Sequence, residues 1–154
     1  MEDQLDRSTA RGTHGAVNVY VDSSVLLRVV LGEPGRLRIW SKIANPVSSE
    51  LIQLECLRTI DRARIRLGLR DVDVSRYRAE VFETVEAFDL IAMDSSVLER
   101  AAEPFPTTIG SLDAIHLASA LLAKPEFDDL ALATHDGELA TAGRAMGFQV
   151  HGGE

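Results

Sequence analysis

Short apolar runs alternate along the chain with longer segments in which apolar residues recur at helical spacing. The short runs predict β-strands at 18–22, 46–48, 88–93, 130–134 and 148–150. The longer segments predict helices at 23–31, 36–44, 49–67, 71–87, 95–103, 111–123 and 136–146. Because strands and helices alternate, we expect an α/β fold, a three-layer α/β/α sandwich with a short, mainly parallel central sheet.

The first 16 residues are polar and carry no such pattern, so we expect a disordered N-terminal lead-in over 1–16 and a single domain over 17–154. The N-terminus lacks the apolar core of a signal peptide, and no apolar run reaches the roughly 18 residues that a membrane span needs. We therefore expect a cytoplasmic protein with no membrane contact. The lone cysteine, Cys56, excludes a framework of internal disulfides.

The charge is unevenly distributed. The chain has a formal net charge of −8, with 16 Lys and Arg against 24 Asp and Glu. Residues 28–78 nevertheless contain 11 basic and 6 acidic residues, whereas residues 79–154 contain 3 basic and 14 acidic ones. This asymmetry is typical of a polyanion-binding face beside an acidic site, or of arginines that only solvate an exposed helix.

Four acidic residues are predicted to lie at one edge of the sheet. Asp22 ends the first strand, Glu55 lies early in the helix after the second, Asp113 begins a later helix, and Asp136 follows the strand LALAT. Ligands of parallel α/β folds gather beyond the carboxyl ends of the strands, where the next helices begin. The topology would therefore bring these four acids together, although they are far apart in sequence.

Each acid also has a purely structural interpretation. Asp22 and Asp136 stand in good N-cap positions, and Asp113 would favour the positive end of its helix dipole. Glu55 lies in the apolar segment LIQLECL, where it would be at least half buried and costly unless paired, for example with Arg58.

Taken together, the four acids indicate a metal site. Carboxylates crowded within a few ångströms repel each other unless a cation lies between them. Hard divalent ions such as Mg²⁺ or Mn²⁺ prefer oxygen ligands, and the chain has no Cys/His cluster suited to zinc. Such ions typically polarise a phosphate and lower the pKa of a bound water, so that hydroxide can attack the phosphate in line.

Four segments carry a family resemblance. VYVDSSVLL, SSELIQLECLR, SLDAIHLASALL and LATHDGELATAGRAMGFQV resemble, in order, the acidic motifs of the PIN-domain ribonucleases. The small size and the GEPG turn after the first helix look most like the VapC toxins of toxin–antitoxin systems. The resemblance covers nearly all of residues 18–150. It implies a PIN-like fold and Mg²⁺- or Mn²⁺-dependent cleavage of RNA. It also implies a homodimer and a cognate VapB-type antitoxin that neutralises the toxin.

By motif match, the resemblance makes Asp22, Glu55, Asp113 and Asp136 the catalytic, metal-binding acids. The role of two histidines stays open at this point. His116 is either a hydrogen-bond partner of Asp113 or a helix-packing residue, and His135 is either a proton donor to the leaving oxygen or a loop residue. Arginines from 28–78 would bind the RNA, because the acids themselves repel its backbone.

Three rival functions are less consistent with these residues. A non-catalytic PIN-like module that binds RNA or protein would be expected to have lost one of the acids. A haloacid-dehalogenase-like phosphatase needs a second aspartate where Ser24 stands. A response-regulator receiver needs a late lysine opposite its aspartate, and the late lysine here, Lys124, precedes a proline.

Overall fold

The computed structural model describes residues 17–154; the expected disordered lead-in, 1–16, lies outside this range, and the domain boundary at residue 16 stays a prediction. Five strands are formed: β1 (Val17–Val21), β2 (Ile43–Ser49), β3 (Asp89–Ile91), β4 (Ala131–Ala133) and β5 (Val150–His151). The helices are α1 (Ser23–Val30), α2 (Leu51–Leu67), α3 (Asp71–Glu86), α4 (Ser95–Ala102), α5 (Ser111–Ala123) and α6 (Gly137–Ala145). Short 3₁₀ helices span Arg38–Lys42 and Lys124–Glu126.

The five strands form one parallel sheet in the order β3-β2-β1-β4-β5. The chain moves outward from β1 through β2 to β3 and then returns to the other side of β1 as β4 and β5. The strand order therefore reverses between β1 and β4, and a crevice for ligands forms at the carboxyl ends of these two strands. Asp22 follows β1 directly, and Asp136 follows β4 after two residues.

Two hydrophobic cores lie on opposite faces of the sheet. Val19 and Val21 pack with buried residues of α1, α2 and α3. Tyr20, between them, packs with buried residues of α5 and α6. Successive strand side chains point to opposite faces, so this alternation along β1 creates the helix–sheet–helix sandwich. The predicted α/β/α architecture with a parallel sheet is confirmed.

Three predicted elements differ from the structure. The helix expected over 36–44 is only a 3₁₀ helix over Arg38–Lys42, β2 starts at Ile43 rather than at Pro46, and β5 spans Val150–His151 rather than 148–150. Pro46 is tolerated within β2 because it pairs with Val19 of β1, while pairing with β3 begins only at Val47. At Pro46, strand β2 therefore pairs only with β1, and the N–H group that proline lacks is not needed for pairing with β3.

Several helix ends follow their local sequence signals. The Asp94 carboxylate accepts a hydrogen bond from the Val97 backbone N–H at 3.1 Å and caps α4. Gly68 ends α2 in the left-handed region, at φ 62°. Within residues 17–154, no helix has both the length and the apolar character required to span a bilayer.

Candidate active site

The Asp22 carboxylate does not cap α1, although Asp22 occupies the N-cap position. Its Oδ2 atom instead accepts hydrogen bonds from the Ser24 hydroxyl at 2.6 Å and from the Thr134 hydroxyl at 2.8 Å. Asp22 is only 4% exposed, so an ionised carboxylate there depends on such donors. The capping interpretation of Asp22 is therefore wrong.

The same two hydroxyls connect Asp22 to the loop after β4. The backbone N–H of His135 donates to Ser24 Oγ at 3.0 Å, and the backbone N–H of Asp136 donates to Thr134 Oγ1 at 3.0 Å. Each hydroxyl thus accepts from the loop and donates to Asp22. The position of Asp136 is coupled in this way to the position of the Asp22 carboxylate.

Glu55 projects from the second turn of α2 and pairs with His116 of α5. The His116 Nε2 atom forms a short hydrogen bond with Glu55 Oε1, and it lies 3.7 Å from Asp22 Oδ1. Glu55 has a side-chain exposure of 19%, consistent with the expected burial. Arg58, the pairing partner suggested by sequence, instead contacts Asp61 at 3.2 Å. That structural interpretation of Glu55 is therefore wrong.

His116 is itself fully buried and held from behind by a tyrosine. The Tyr20 hydroxyl lies 2.8 Å from His116 Nδ1, and both residues are 0% exposed. Burial raises the pKa of Tyr20, so its hydroxyl keeps its proton. The pKa of His116 is raised as well, because the hydrogen bond with Glu55 and the charge of Asp22 outweigh the opposing effect of burial.

One ligand atom each from Asp22, Glu55 and His116 lies within 4.8 Å of the other two. Among residues 17–154, Asp113 and Asp136 are outside this tight group. The pKa of Asp113 is nevertheless raised from 3.8 to about 6. Burial is the largest cause, the negative charges of Asp136, Asp22 and Glu55 add to it, and His116 opposes it. Asp136 is exposed and accepts from the Leu139 N–H at 2.9 Å, so it does cap α6.

These residues fit a hard divalent cation. The donor set is dominated by carboxylate oxygens, which Mg²⁺ and Mn²⁺ prefer. Burial is the largest cause of the raised pKa of Asp113, and the negative charges of Asp136, Asp22 and Glu55 add to it, so the acids repel one another. A cation among the acids would remove this repulsion.

Two residues of the site were not identified from the sequence as site residues. In the sequence, Ser24 argues only against another enzyme class, whereas in the structure its hydroxyl holds Asp22. Tyr20 belongs to the apolar run that predicts the first strand, and nothing in that run alone marks it as a partner of His116. The two-residue periodicity of β1, which puts Tyr20 on the same side as Asp22, is the signal that could have found it. His116 contacts Glu55 rather than Asp113 as its hydrogen-bond partner.

His135 lies beside this network, and both interpretations of it, as a proton donor to the leaving oxygen or as a loop residue, stay open. The residue is partly buried, and its Nε2 atom is shielded from solvent without a hydrogen-bond partner among the described residues. Burial, and then the charge of Arg28, lower its pKa.

Comparisons with known proteins identify the family of this chain. The PIN domain family matches residues 19–145. The chain is 30% identical to ribonuclease VapC46 of Mycobacterium tuberculosis (strain ATCC 25618 / H37Rv) over 135 residues, which cover 86% of this chain and 95% of that protein. It is 29% identical to ribonuclease VapC47 of Mycobacterium tuberculosis (strain CDC 1551 / Oshkosh) over 137 residues, covering 84% and 93%.

A solved structure shares the fold. It is a toxin–antitoxin complex from Klebsiella pneumoniae, with a TM-score of 0.58 and 15% sequence identity over 79% of this chain and 88% of the matched chain. The family match covers most of the described residues, and the acids at the carboxyl edge of the sheet lie inside it, so this chain belongs to the PIN-domain family, among the VapC-type ribonucleases.

Proposed function

We propose that this protein is an endoribonuclease toxin that hydrolyses RNA phosphodiester bonds with a divalent metal ion. The observation that carries the proposal is the meeting of Asp22 and Glu55 at the carboxyl edge of the sheet, with Asp113 close enough for their charges to add to the effect of burial in raising its pKa. The family relation to ribonucleases supplies the substrate class.

Asp22, Glu55, Asp113 and Asp136 are the residues proposed to hold Mg²⁺ or Mn²⁺. When bound, such an ion polarises the scissile phosphate and lowers the pKa of an attacking water. Ser24 and Thr134 fix the Asp22 carboxylate through Oδ2, which leaves Oδ1 directed at the cluster. Two fixed donors reduce the reorganisation that the carboxylate would otherwise undergo on binding a cation.

RNA binding is proposed to use arginines of residues 28–78. Arg28 is close to the site, because its charge lowers the pKa of His135, the residue before Asp136. The Arg28 side chain is one third exposed and lies 4.0 Å from Glu33, at the limit of an ion pair. Such an arginine can pair with a phosphate and offset the repulsion between the acids and the RNA backbone.

We also propose a homodimer and a cognate VapB-type antitoxin, in the cytoplasm where the RNA substrate is found. Large apolar side chains are exposed in two regions of the surface. One comprises Leu54, Ile65, Leu67, Val72 and Phe82 of α2 and α3, and the other comprises Leu98, Leu112 and Leu122 of α4 and α5. Apolar surface of this kind supports protein contacts on both sides of the sheet.

The alternative is a PIN-like module that binds RNA or protein without cutting it. The alternative would not need the paired hydroxyl donors on Asp22 or a cluster of acids whose charges raise the pKa of Asp113. A tight Mn²⁺ site, measured by calorimetric titration of the purified protein, would favour the nuclease. Its absence would favour the binding module.

The direct test compares Asp22→Asn with the unaltered protein in cleavage of total RNA in excess Mg²⁺. We expect activity to fall at least about 100-fold, as happens when a group that stabilises developing charge is removed. Asp89→Asn is the matched control, because this isosteric change removes one charge from an exposed residue of edge strand β3. Full activity in a folded Asp22→Asn protein would defeat the proposal.

A further inference from the structure

His116 is the member of the tight cluster whose role the family relation does not supply. Its imidazole is fully buried between a tyrosine hydroxyl at Nδ1 and two carboxylates near Nε2. By distance alone, Nε2 is a candidate metal ligand, because it lies within 4.8 Å of atoms of Asp22 and Glu55 that could bind the same ion. The hydrogen bonds around the ring distinguish a ligand from a positioning residue.

With no metal ion between them, His116 Nε2 and Glu55 Oε1 stay in contact only if one hydrogen atom lies between the two atoms. An ionised glutamate offers only acceptor oxygens, so the hydrogen belongs to Nε2. The opposite neutral tautomer would direct the Nε2 lone pair at a carboxylate oxygen, and two acceptors in contact repel each other.

The Tyr20 side of the ring is consistent with the same assignment. If the imidazole is neutral with its hydrogen on Nε2, Nδ1 accepts from the Tyr20 hydroxyl at 2.8 Å. If the imidazole is positively charged, Nδ1–H donates to the Tyr20 oxygen, and Nε2 still carries a hydrogen. The neighbouring hydroxyls of Ser48 and Ser119 donate to the backbone carbonyls of Val21 and Ile115, both at 2.7 Å, so neither of them donates its hydrogen to the Tyr20 oxygen.

We propose that His116 is a positioning residue that donates from Nε2–H to Glu55 and does not bind the metal ion. This inference rests on the proposed metal-dependent function. A nitrogen that carries a hydrogen has no lone pair for a cation, so the ion would be held by oxygen atoms alone. An all-oxygen set suits Mg²⁺ better than a set that includes imidazole.

The two central carboxylates are then held in the same way. Glu55 has Oε1 committed to His116, and Asp22 has Oδ2 committed to Ser24 and Thr134. Each carboxylate keeps its second oxygen for the ion. Three donors, from α5, from α1 and from the end of β4, thus fix two ligands before any cation arrives, as expected for the hydrogen bonds that orient metal ligands.

Long-range ¹H–¹⁵N NMR of the ¹⁵N-labelled full chain tests this directly. The His116 signals are identified by their loss in His116→Gln. We expect the Nε2 resonance of a protonated nitrogen both in EDTA and in saturating Mg²⁺. An unprotonated Nε2 in the metal-free protein, or its deprotonation when Mg²⁺ is added, would overturn the proposal. The measurement uses the unaltered protein, so it decides even where a variant fails to fold.

Mn²⁺ affinity, measured calorimetrically, provides a second readout that does not depend on activity. The amide nitrogen of a glutamine can stand where Nε2 stands and donate to Glu55, whereas leucine cannot. We expect His116→Gln to keep affinity within about threefold, and His116→Leu to lose about 10–100-fold, the usual effect of removing a partner of a metal ligand. An equal loss in both folded variants would show that the imidazole itself binds the ion.

The two proposals fail differently in these experiments. If the protein binds no Mn²⁺, the metal-dependent function is lost, whereas the metal-free spectrum still reports whether Nε2 donates to Glu55. If Mn²⁺ binds tightly and Nε2 is unprotonated, the metal-dependent function stands and His116 becomes a ligand.

Discussion

Replacing Asp113 by asparagine is expected to stabilise the metal-free protein. In the folded state, burial and the neighbouring acids raise the pKa of this carboxyl from 3.8 to about 6. Below about pH 3, well under the ordinary value of 3.8, the group is protonated whether the chain is folded or unfolded, so its ionisation has no effect on stability. As the pH rises to about 6, the unfolded chain ionises more readily than the folded protein, and the folded state loses relative stability.

The size of the effect follows from the shift. One pKa unit corresponds to about 1.4 kcal/mol, so a rise of roughly two units sets an upper limit near 3 kcal/mol. Asp113 is only half-buried, and solvent screening reduces this figure, so we expect a gain of about 1–2 kcal/mol for Asp113→Asn at pH 7.5. The gain should vanish only below about pH 3, where the carboxyl is uncharged in both the folded and the unfolded state.

Urea denaturation in EDTA at several pH values measures this difference. The matched control is Glu99→Gln, which removes one negative charge from an exposed residue of α4. In saturating Mg²⁺ the unaltered protein should become more stable than Asp113→Asn, because metal binding adds about 2.7 kcal/mol to its free energy of unfolding at 100 times its Kd. The reasoning would be refuted if Asp113→Asn had the same stability as the unaltered protein at pH 7.5 without metal, or if the control behaved identically.

Three other substitutions test neighbouring parts of the account. Thr134→Val removes a donor to the buried Asp22 carboxylate. Urea denaturation should show a free energy of unfolding lower by about 2 kcal/mol, and calorimetry should show about 10-fold weaker Mn²⁺ binding. Unchanged Mn²⁺ binding would contradict the role given to this hydroxyl. Gly143→Ala would put a Cβ atom 2.5 Å from the buried Leu132 Cδ2, so urea denaturation should show a loss of about 1–3 kcal/mol with Mn²⁺ binding intact. Arg58→Ala breaks an exposed ion pair and should change stability by less than about 1 kcal/mol; a large loss of cleavage would mean that this arginine acts at the site.

The sheet and most helices could be predicted because their signals are local. The apolar runs marked β1, β3 and β4 within two residues of each end, and Asp94 and Gly68 marked helix ends through capping. The segment before Pro46 was predicted wrongly. Its strand character comes from pairing with β1, where Val17 pairs with Ile43 and Asn18 with Asn45, and no local pattern reveals that pairing.

The edge of the sheet where the acids lie could also be predicted, because parallel strands direct their carboxyl ends to one side. The partners of each acid could not be predicted. The hydrogen bond from Thr134 to Asp22 joins residues 112 positions apart, and the one between His116 and Glu55 joins residues 61 positions apart. Helical spacing suggested Arg58 for Glu55, but a buried imidazole from α5 occupies that role.

The most direct measurement of the central claim is anomalous diffraction from a crystal of the unaltered protein grown in saturating Mn²⁺. We predict a Mn²⁺ peak within about 2.5 Å of carboxylate oxygens from both Asp22 and Glu55, with Asp113 or Asp136 completing the set. The absence of a peak among these acids at saturating Mn²⁺, with the protein folded as described, would contradict the account.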